Sequence, residues 1–371
     1  MLSPSARRNI ARIIPFGIIW LMAGIIYSLL ERGLLGNLPA YPTTGNPYDF
    51  TSTFWITAIT ALILGCFFGA LEVLYFSRLF ERRTLIEKII YKTIIYVSIN
   101  ICFLLINTSI YNAAELNVSI LDRRVWQNLW IFFSSFSFWS VEVYIAAVIT
   151  ISLFYTEVSG NLGQAVLNNF LTGYYHRPVE EERIFMFVDM KSSTTIAEKI
   201  GHVRYFEMLK QYFADLSKAI VRHSGEIYQY VGDEVVISWK LKKGLHNNNC
   251  IQCFFAMRDS LAGKFEKYYA DFGLSPQFKA GLHSGKVTTG EIGIIKRDII
   301  FTGDVLNTTS RIQGLCNAYE VDLLISDPLM KKLRLNGSFQ VKALGEKELK
   351  GKGERVGLYT LLPADKQTHS K

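Results

Sequence analysis

The chain has 371 residues, half of them hydrophobic and 13% aromatic, which is too apolar for an ordinary soluble protein and long enough for two or three domains. Its net charge of +8 is dispersed or flanks apolar runs, with no basic patch interleaved with aromatics, and this argues against nucleic acid as a partner. Five cysteines (Cys66, Cys102, Cys250, Cys253 and Cys316) form no paired framework, and the Cys250-Ile-Gln-Cys253 spacing lacks a second pair or a His cluster to complete a zinc site.

The apolar residues concentrate in the first half. Four nearly uncharged stretches have the length of a bilayer-crossing helix, about 20 residues: Ile13 to Leu30, Phe50 to Phe76, Thr93 to Ile110, and Trp126 to Tyr155. Pro15 is expected at the entry of the first, where a helix tolerates proline. No small-residue cleavage site follows this span, so it reads as an uncleaved helix rather than a signal peptide. Arg7, Arg8 and Arg12 precede it, and Arg78, Arg82, Arg83, Lys88 and Lys92 surround the turn after the second span. The other side offers only Arg32, Arg123 and Arg124, so the positive-inside rule puts the amino terminus and the soluble half in the cytoplasm, in an inner or plasma membrane. Two acids interrupt the apolar runs, Glu72 and Glu142. Each fits either a sensory or proton-linked role or a hydrogen-bonded packing acid.

A connector follows over residues 156–182. Gly160 to Gly173 reads as a short amphipathic helix with Leu162, Val166, Phe170 and Leu171 on one face, serving as a reporter of membrane-domain geometry or as a passive spacer. The acid run Glu180 to Glu182 then resets the chain.

From Arg183 charges are dense and segments alternate. A strand, Ile184 to Asp189, precedes a helix from Thr194 to His223. Strands Glu226 to Val231 and Glu234 to Trp239 flank a Gly232-Asp233 turn. A helix over 248–271 precedes a strand Phe278 to His283, a Gly-rich turn, a strand Val287 to Ile292, and a helix from Asn307 to Tyr319. The order βαββαβ implies an α+β ferredoxin-like palm, an open sheet with helices on one face. Asp189 closes one strand and Asp233 tips a hairpin, so both acids are expected at one sheet end, where two carboxylates suit a pair of magnesium ions carrying phosphate. His283 has the strand context of a structural histidine rather than a general base.

These residues carry a resemblance. Phe187-Val-Asp189-Met-Lys-Ser-Ser-Thr194 with Ala197-Glu198, Val231-Gly-Asp233, Gly281-Leu-His-Ser-Gly285, Gly303-Asp-Val-Leu-Asn307-Thr-Thr-Ser-Arg311 and Leu349-Lys350-Gly-Lys-Gly-Glu354 follow one another as in the class III nucleotide cyclases. The chain therefore resembles that family, membrane-anchored bacterial type, over about half its length. The resemblance implies a homodimer of catalytic domains with sites shared across the interface. It implies that Asp189 and Asp233, assisted by the Met190 carbonyl, hold two Mg2+ or Mn2+ ions. Asn307 and Arg311 from the other subunit would orient the ribose and stabilise charge on the α-phosphate, and Lys350 would contact the terminal phosphates. The spacing of Asn307 and Arg311 places them on one helix face.

The base-reading positions depart from the family pattern. They fall on Gln229 and Ile300, matching neither the adenylate nor the guanylate set. Gln can address either purine, and Ile offers only shape. The expected function is a membrane-bound adenylate cyclase making cyclic AMP from ATP, with GTP turnover or a silent nucleotide-binding receptor domain as alternatives. Expected domains are 1–155 (four spans), 156–182 (connector), 183–363 (cyclase) and 364–371 (polar tail).

Overall fold

In the computed structural model the described residues are 3–41, 47–77, 79–81, 83–295, 297–335, 337–349 and 355–363. Lys350 and its motif through Glu354, Arg78, Arg82, the tail 364–371 and the side chain of Leu171 lie outside the described residues. The chain divides into two compact units, with the boundary between residues 168 and 169.

The first unit is helical. Helices α1 (Pro4–Leu35), α2 (Phe50–Leu71), α3 (Leu85–Glu115), α4 (Arg123–Ser134) and α5 (Phe136–Leu162) include four candidate spans, with α2 continued by a π-helical turn at Glu72–Phe76. Pro15 lies inside α1 rather than at its entry, eleven residues past the first helical residue. The expected fourth span is divided at Ser135, whose extended backbone stops α4 while its hydroxyl accepts from the Phe138 N–H to start α5. Thr84 and Glu87 form a reciprocal capping box that fixes the start of α3.

Small residues let α1 and α2 touch. A Cβ on Gly65 would stand 2.5 Å from Trp20, and one on Gly69 would stand 2.8 Å from Phe16, so Ala61, Gly65 and Gly69 form a small-residue stripe under the rings of α1. Both intramembrane acids have partners. Glu72 takes the Lys92 ammonium at 2.6 Å and the Tyr96 hydroxyl at 2.8 Å, all three side chains being buried, and Glu157 also meets Lys92 at 3.2 Å. Glu142 accepts from Asn100 at 2.8 Å. Packing and pairing therefore account for Glu72.

Helices and the start of a strand fill the expected connector, residues 156–182. Helix α5 runs on to Leu162, Gly163 breaks it at φ +87°, and α6 spans Gln164–Thr172. Leu162, Val166 and Phe170 are exposed, and Leu167 is the buried residue. The acid run begins a strand instead of a linker, because β1 starts at Val179 and ends at Met190.

The second unit is an eight-stranded mixed sheet in the order β2-β3-β1-β4-β6-β8-β7, with β5 also paired to β4. Its elements are β1 (Val179–Met190), α7 (Ser193–Ile200), α8 (His202–Arg222), β2 (Glu226–Val231), β3 (Glu234–Lys240), α9 (Leu241–Leu245), α10 (Asn249–Ala262), α11 (Phe265–Phe272), β4 (Phe278–Ile292), β5 (Asp298–Thr302), α12 (Asp304–Gly314), β6 (Leu323–Ser326), α13 (Asp327–Met330), β7 (Phe339–Glu348) and β8 (Arg355–Pro363). The expected helix 194–223 is broken at Gly201, whose φ of +82° no L-residue adopts cheaply, and the expected helix 248–271 breaks at Gly263–Lys264.

The expected Gly-rich turn near Gly285 is absent, because β4 runs unbroken from Phe278 to Ile292 and pairs with β1 along its length. The glycines serve another purpose. A Cβ on Gly281 would meet the Gln313 backbone at 2.4 Å, and one on Gly285 would meet Val305 at 2.6 Å. They are sockets for α12.

Strand alternation sorts the core. Ile184, Met186, Val188 and Met190 of β1 pack with α8 and α10, together with Trp239 and Phe254. Phe185 and Phe187 pack on the other face with Val287 and Val305. Thus α12 covers the face opposite α8 and α10, contrary to the expectation of helices on one face. Asp189, an odd-numbered residue of β1, belongs to the α12 face.

Candidate active site

Register brings the two acids together. Strands β1 and β3 pair as far as Val188 opposite Val235, so the next step along the ladder sets Asp189 beside Glu234. The β2–β3 connection is a two-residue tip, Gly232-Asp233 between the paired Val231 and Glu234, with Gly232 at φ +63° as a tight hairpin turn requires. Asp233 therefore folds back toward Asp189. Their mutual repulsion shows in the titration of Asp189. Burial raises its pKa first, and the Asp233 charge adds to that, while Lys279 opposes both. Glu234 is pushed up to about 7 by burial and by the charges of Asp189 and Asp233.

Three neighbours of Asp189 were not visible in the sequence. Lys279 lies directly across β4 from Asp189, with its ammonium 3.4 Å from Oδ2. Gln313 of α12 donates its amide to the same oxygen at 3.2 Å. Tyr212 of α8 has a buried hydroxyl with no hydrogen-bond partner, and its pKa is driven up by burial and by the charges of Asp189 and Asp233. Only tertiary register could reveal Lys279 and Gln313, which carry no local motif.

This donor set fits a hard divalent cation. Three carboxylates face one ammonium in a half-buried setting, so the cluster carries surplus negative charge, and its ligating atoms are oxygens. Among the described residues no three His, Cys, Asp or Glu side chains close into a complete cage. The Met190 side chain is buried at the very end of β1, and the turn after it passes through Ser192 in the left-handed region.

The other expected residues sit on α12 and at the sheet edge. Asn307 is exposed, and Arg311, one turn on, is half-buried with its Nη1 fully buried and without a hydrogen-bond partner. The buried face of α12 is Val305, Thr308, Thr309, Ile312 and Gln313. Gln313 follows Arg311 by two residues, about 200° around a helix, so Arg311 and Asn307 point away from the Asp189 of their own chain. Gln229 is exposed on the edge strand β2, next to a register shift, and Ile300 is half-buried on β5. Their neighbours meet, the rings of Tyr228 and Phe301 lying 4.8 Å apart. His283 is buried on β4 with Nδ1 2.7 Å from the Ser326 hydroxyl, as a structural histidine would be. Cys250 and Cys253 are both buried, and burial pushes their thiols up, the first to about 12.

Comparison with known families decides the class. The profile of the adenylate and guanylate cyclase catalytic domain matches residues 176–362, half of the chain. The chain belongs to the class III adenylate and guanylate cyclase family. Among curated proteins it is similar to Adenylate cyclase 2 of Rhizobium meliloti, 36% identical over 222 residues, covering 60% of this chain and 61% of that protein. It is also similar to an adenylate cyclase of Anabaena cylindrica, 27% identical over 183 residues, covering 47% of this chain and 35% of that protein. The matched region thus spans less than two thirds of either relative. Among solved structures, a bacterial light-regulated adenylyl cyclase superposes with a TM-score of 0.51 at 20% identity, covering 62% of this chain and 65% of that one, which shows a shared fold. A class III cyclase domain following four apolar helices is what the chain contains.

Proposed function

We propose that the chain is a membrane-bound adenylate cyclase that converts ATP to 3′,5′-cyclic AMP and pyrophosphate, acting as a homodimer with each site shared between subunits. The observation that carries this reading is the split across α12. Gln313 holds Asp189 on one face, while Asn307 is exposed on another and Arg311 beside it keeps a buried Nη1 without a hydrogen-bond partner. One chain cannot wrap both groups around one nucleotide, whereas two chains packed head to tail can.

In that arrangement Asp189, Asp233 and the Met190 carbonyl would hold two Mg2+ or Mn2+ ions. Bound there, the metals would lower the pKa of the ribose 3′-hydroxyl and neutralise phosphate charge. The chain's own groups supply the rest. Asn307 orients the ribose so that its 3′-oxygen faces the α-phosphate, and Arg311 presents a planar fork of donors to the charge that grows there as pyrophosphate leaves. Lys350 contacts the terminal phosphates. Gln229 and Ile300 line the base position. The reading of ATP over GTP rests on the similarity to proteins named adenylate cyclases. The amino terminus and catalytic domain are cytoplasmic, on the positive-inside bias of the apolar half, and the domain limits are those set out from the sequence.

The test is product formation by the purified full-length protein with ATP and with GTP, each with magnesium or manganese. Cyclic AMP as the main product is expected, and its absence with both nucleotides in a verified dimer overturns the reading. Asp189→Ala should abolish turnover without unfolding the domain. Mixing Asp189→Ala with Arg311→Ala chains should restore about a quarter of wild-type activity, because random pairing leaves one intact shared site in half of the dimers. No recovery would mean the sites are not shared.

A further inference from the structure

The buried polar atoms that lack partners are not scattered evenly. Several fall on one end of the helical unit, where α1 approaches the start of α2. Ser28 is 1% exposed and its hydroxyl has no hydrogen-bond partner, Tyr48 is 7% exposed with an unpartnered hydroxyl, and Glu31 has a buried, unpartnered Oε2. Buried polar groups in folded proteins are nearly always satisfied, so such a set calls for an explanation. Ser28 and Glu31 are three residues apart and share one face of α1. Tyr27 and Tyr41 lie within hydrogen-bonding reach of the Glu31 carboxylate, and the Tyr48 hydroxyl is close enough to feel its charge.

Aromatic rings close the surroundings. Tyr41 meets Tyr48 edge-on at 5.1 Å, and Tyr27 stands 5.7 Å from Tyr144. The cation next in sequence, close enough for its charge to reach Tyr48, is already engaged. Arg32 donates to the Gly36 carbonyl at 2.5 Å and to Asn37 at 3.2 Å, and its guanidinium lies over the Phe50 ring. Glu31 has no ion-pair partner among the described residues.

We infer that this tyrosine-lined end of the bundle is a binding site for a primary ammonium ion, a protonated organic amine, received by Glu31, Tyr48 and Ser28. The chemistry matches group by group. A primary ammonium carries three N–H donors, and the carboxylate oxygen and two hydroxyl oxygens are three unpartnered acceptors. The positive charge offsets a carboxylate that would otherwise sit half-buried without a counter-ion. The surrounding tyrosine rings add attraction for a cation. An inorganic cation would answer the charge but leave the rings unused, and a neutral alcohol would leave the carboxylate unpaired.

The experiment uses full-length protein in detergent with n-butylammonium as probe. Butan-1-ol serves as its neutral counterpart, and tetramethylammonium and sodium serve as cations without N–H donors. Calorimetric titration and the shift of the thermal midpoint are read together, so binding is scored independently of turnover. Saturable binding of n-butylammonium is expected, with tetramethylammonium weaker and butan-1-ol and sodium silent. Glu31→Gln should weaken binding by about tenfold or more, and Tyr48→Phe by several-fold, with the unliganded midpoint reporting whether each variant is folded. Equal binding of butan-1-ol or sodium, unchanged binding by folded Glu31→Gln, or no saturable binding at all overturns the assignment. Tetramethylammonium binding as tightly as n-butylammonium overturns the three-donor geometry.

Discussion

Gln313 donates to Oδ2 of Asp189 at 3.2 Å from the helix that carries Arg311 on its far side. A single turn of helix thus steadies the acid of its own chain and carries a cation on its other side. The Lys279 ammonium lies 3.4 Å from the same oxygen.

This contact makes Gln313 an orienting group for the proposed metal site. Gln313→Leu is expected to raise the magnesium concentration for half-maximal turnover by about tenfold, the scale typical of outer-shell partners of a metal ligand. Turnover at saturating magnesium should fall less. A magnesium titration checks this, and an unchanged midpoint would show that Asp189 is held by Lys279 alone.

Seating α12 on β4 depends on two glycines of unequal tolerance. A methyl at Gly281 would collide with the Gln313 backbone at 2.4 Å, whereas at Gly285 it would meet one Val305 methyl at 2.6 Å, with the next nearest atom 3.8 Å away. Gly281→Ala should therefore cost about 3 kcal/mol or more and Gly285→Ala about 1 kcal/mol. Denaturant unfolding of both variants gives the comparison, and reversal of the order would contradict the packing.

The buried pair of the helical unit should behave asymmetrically under substitution. Lys92→Met leaves Glu72 buried with only Tyr96 for a partner and is expected to destabilise by about 3–5 kcal/mol. Replacing both, as Lys92→Met with Glu72→Leu, should cost clearly less than the two single changes added together. Thermal midpoints of the four proteins in detergent close that cycle, and strict additivity would mean the two charges do not act on one another.

Stability of the sheet unit should fall in mild acid through His223. Burial lowers its pKa below the ordinary 6.5, with Arg222 adding to that and Asn249 opposing it. The folded state thus binds fewer protons than the unfolded chain just below pH 6.5. The stabilisation is full above the unfolded pKa and is lost as pH falls through the folded one. His223→Gln should shrink the drop in thermal midpoint between about pH 7.5 and 5.5. The His223 carbonyl, which accepts from the Trp239 indole at 2.9 Å, is untouched by this change. An equal drop in both proteins would assign the acid sensitivity elsewhere.

Local signals explain what could be read ahead of the structure. The apolar run ending in Asp189 and the Gly232-Asp233 tip are short-range patterns, and both acids could be placed at one sheet end from them alone. Gly281 and Gly285 misled for a physical reason. In sequence a glycine pair in a strand pattern looks like a turn, and only the arrival of α12 shows that the missing side chains make room for a helix. Lys279 and Gln313 are set by register across 90 residues or more, so no window of sequence contains the information. The partner of Glu72 is closer in sequence, yet Lys92 faces it only because α2 ends in a π-helical turn and α3 starts at its capping box. Gln229 and Ile300 adjoin Tyr228 and Phe301, whose rings lie 4.8 Å apart, a contact between β2 and β5 that sequence spacing does not announce.

The pairing of Glu72 with Lys92 also constrains how the chain enters a bilayer. Either charge alone in an inserting helix meets a penalty of about 2.5–3.5 kcal/mol near the membrane centre, smaller toward its edge. Threaded one after the other, α2 and α3 would each meet that penalty; delivered together as a hairpin, they arrive with the charges already neutralised. The last membrane helix, α5, brings Glu157 to the same ammonium afterwards. Biogenesis of this protein should therefore count the second and third spans as one translocation event and the fourth as the step that closes the bundle.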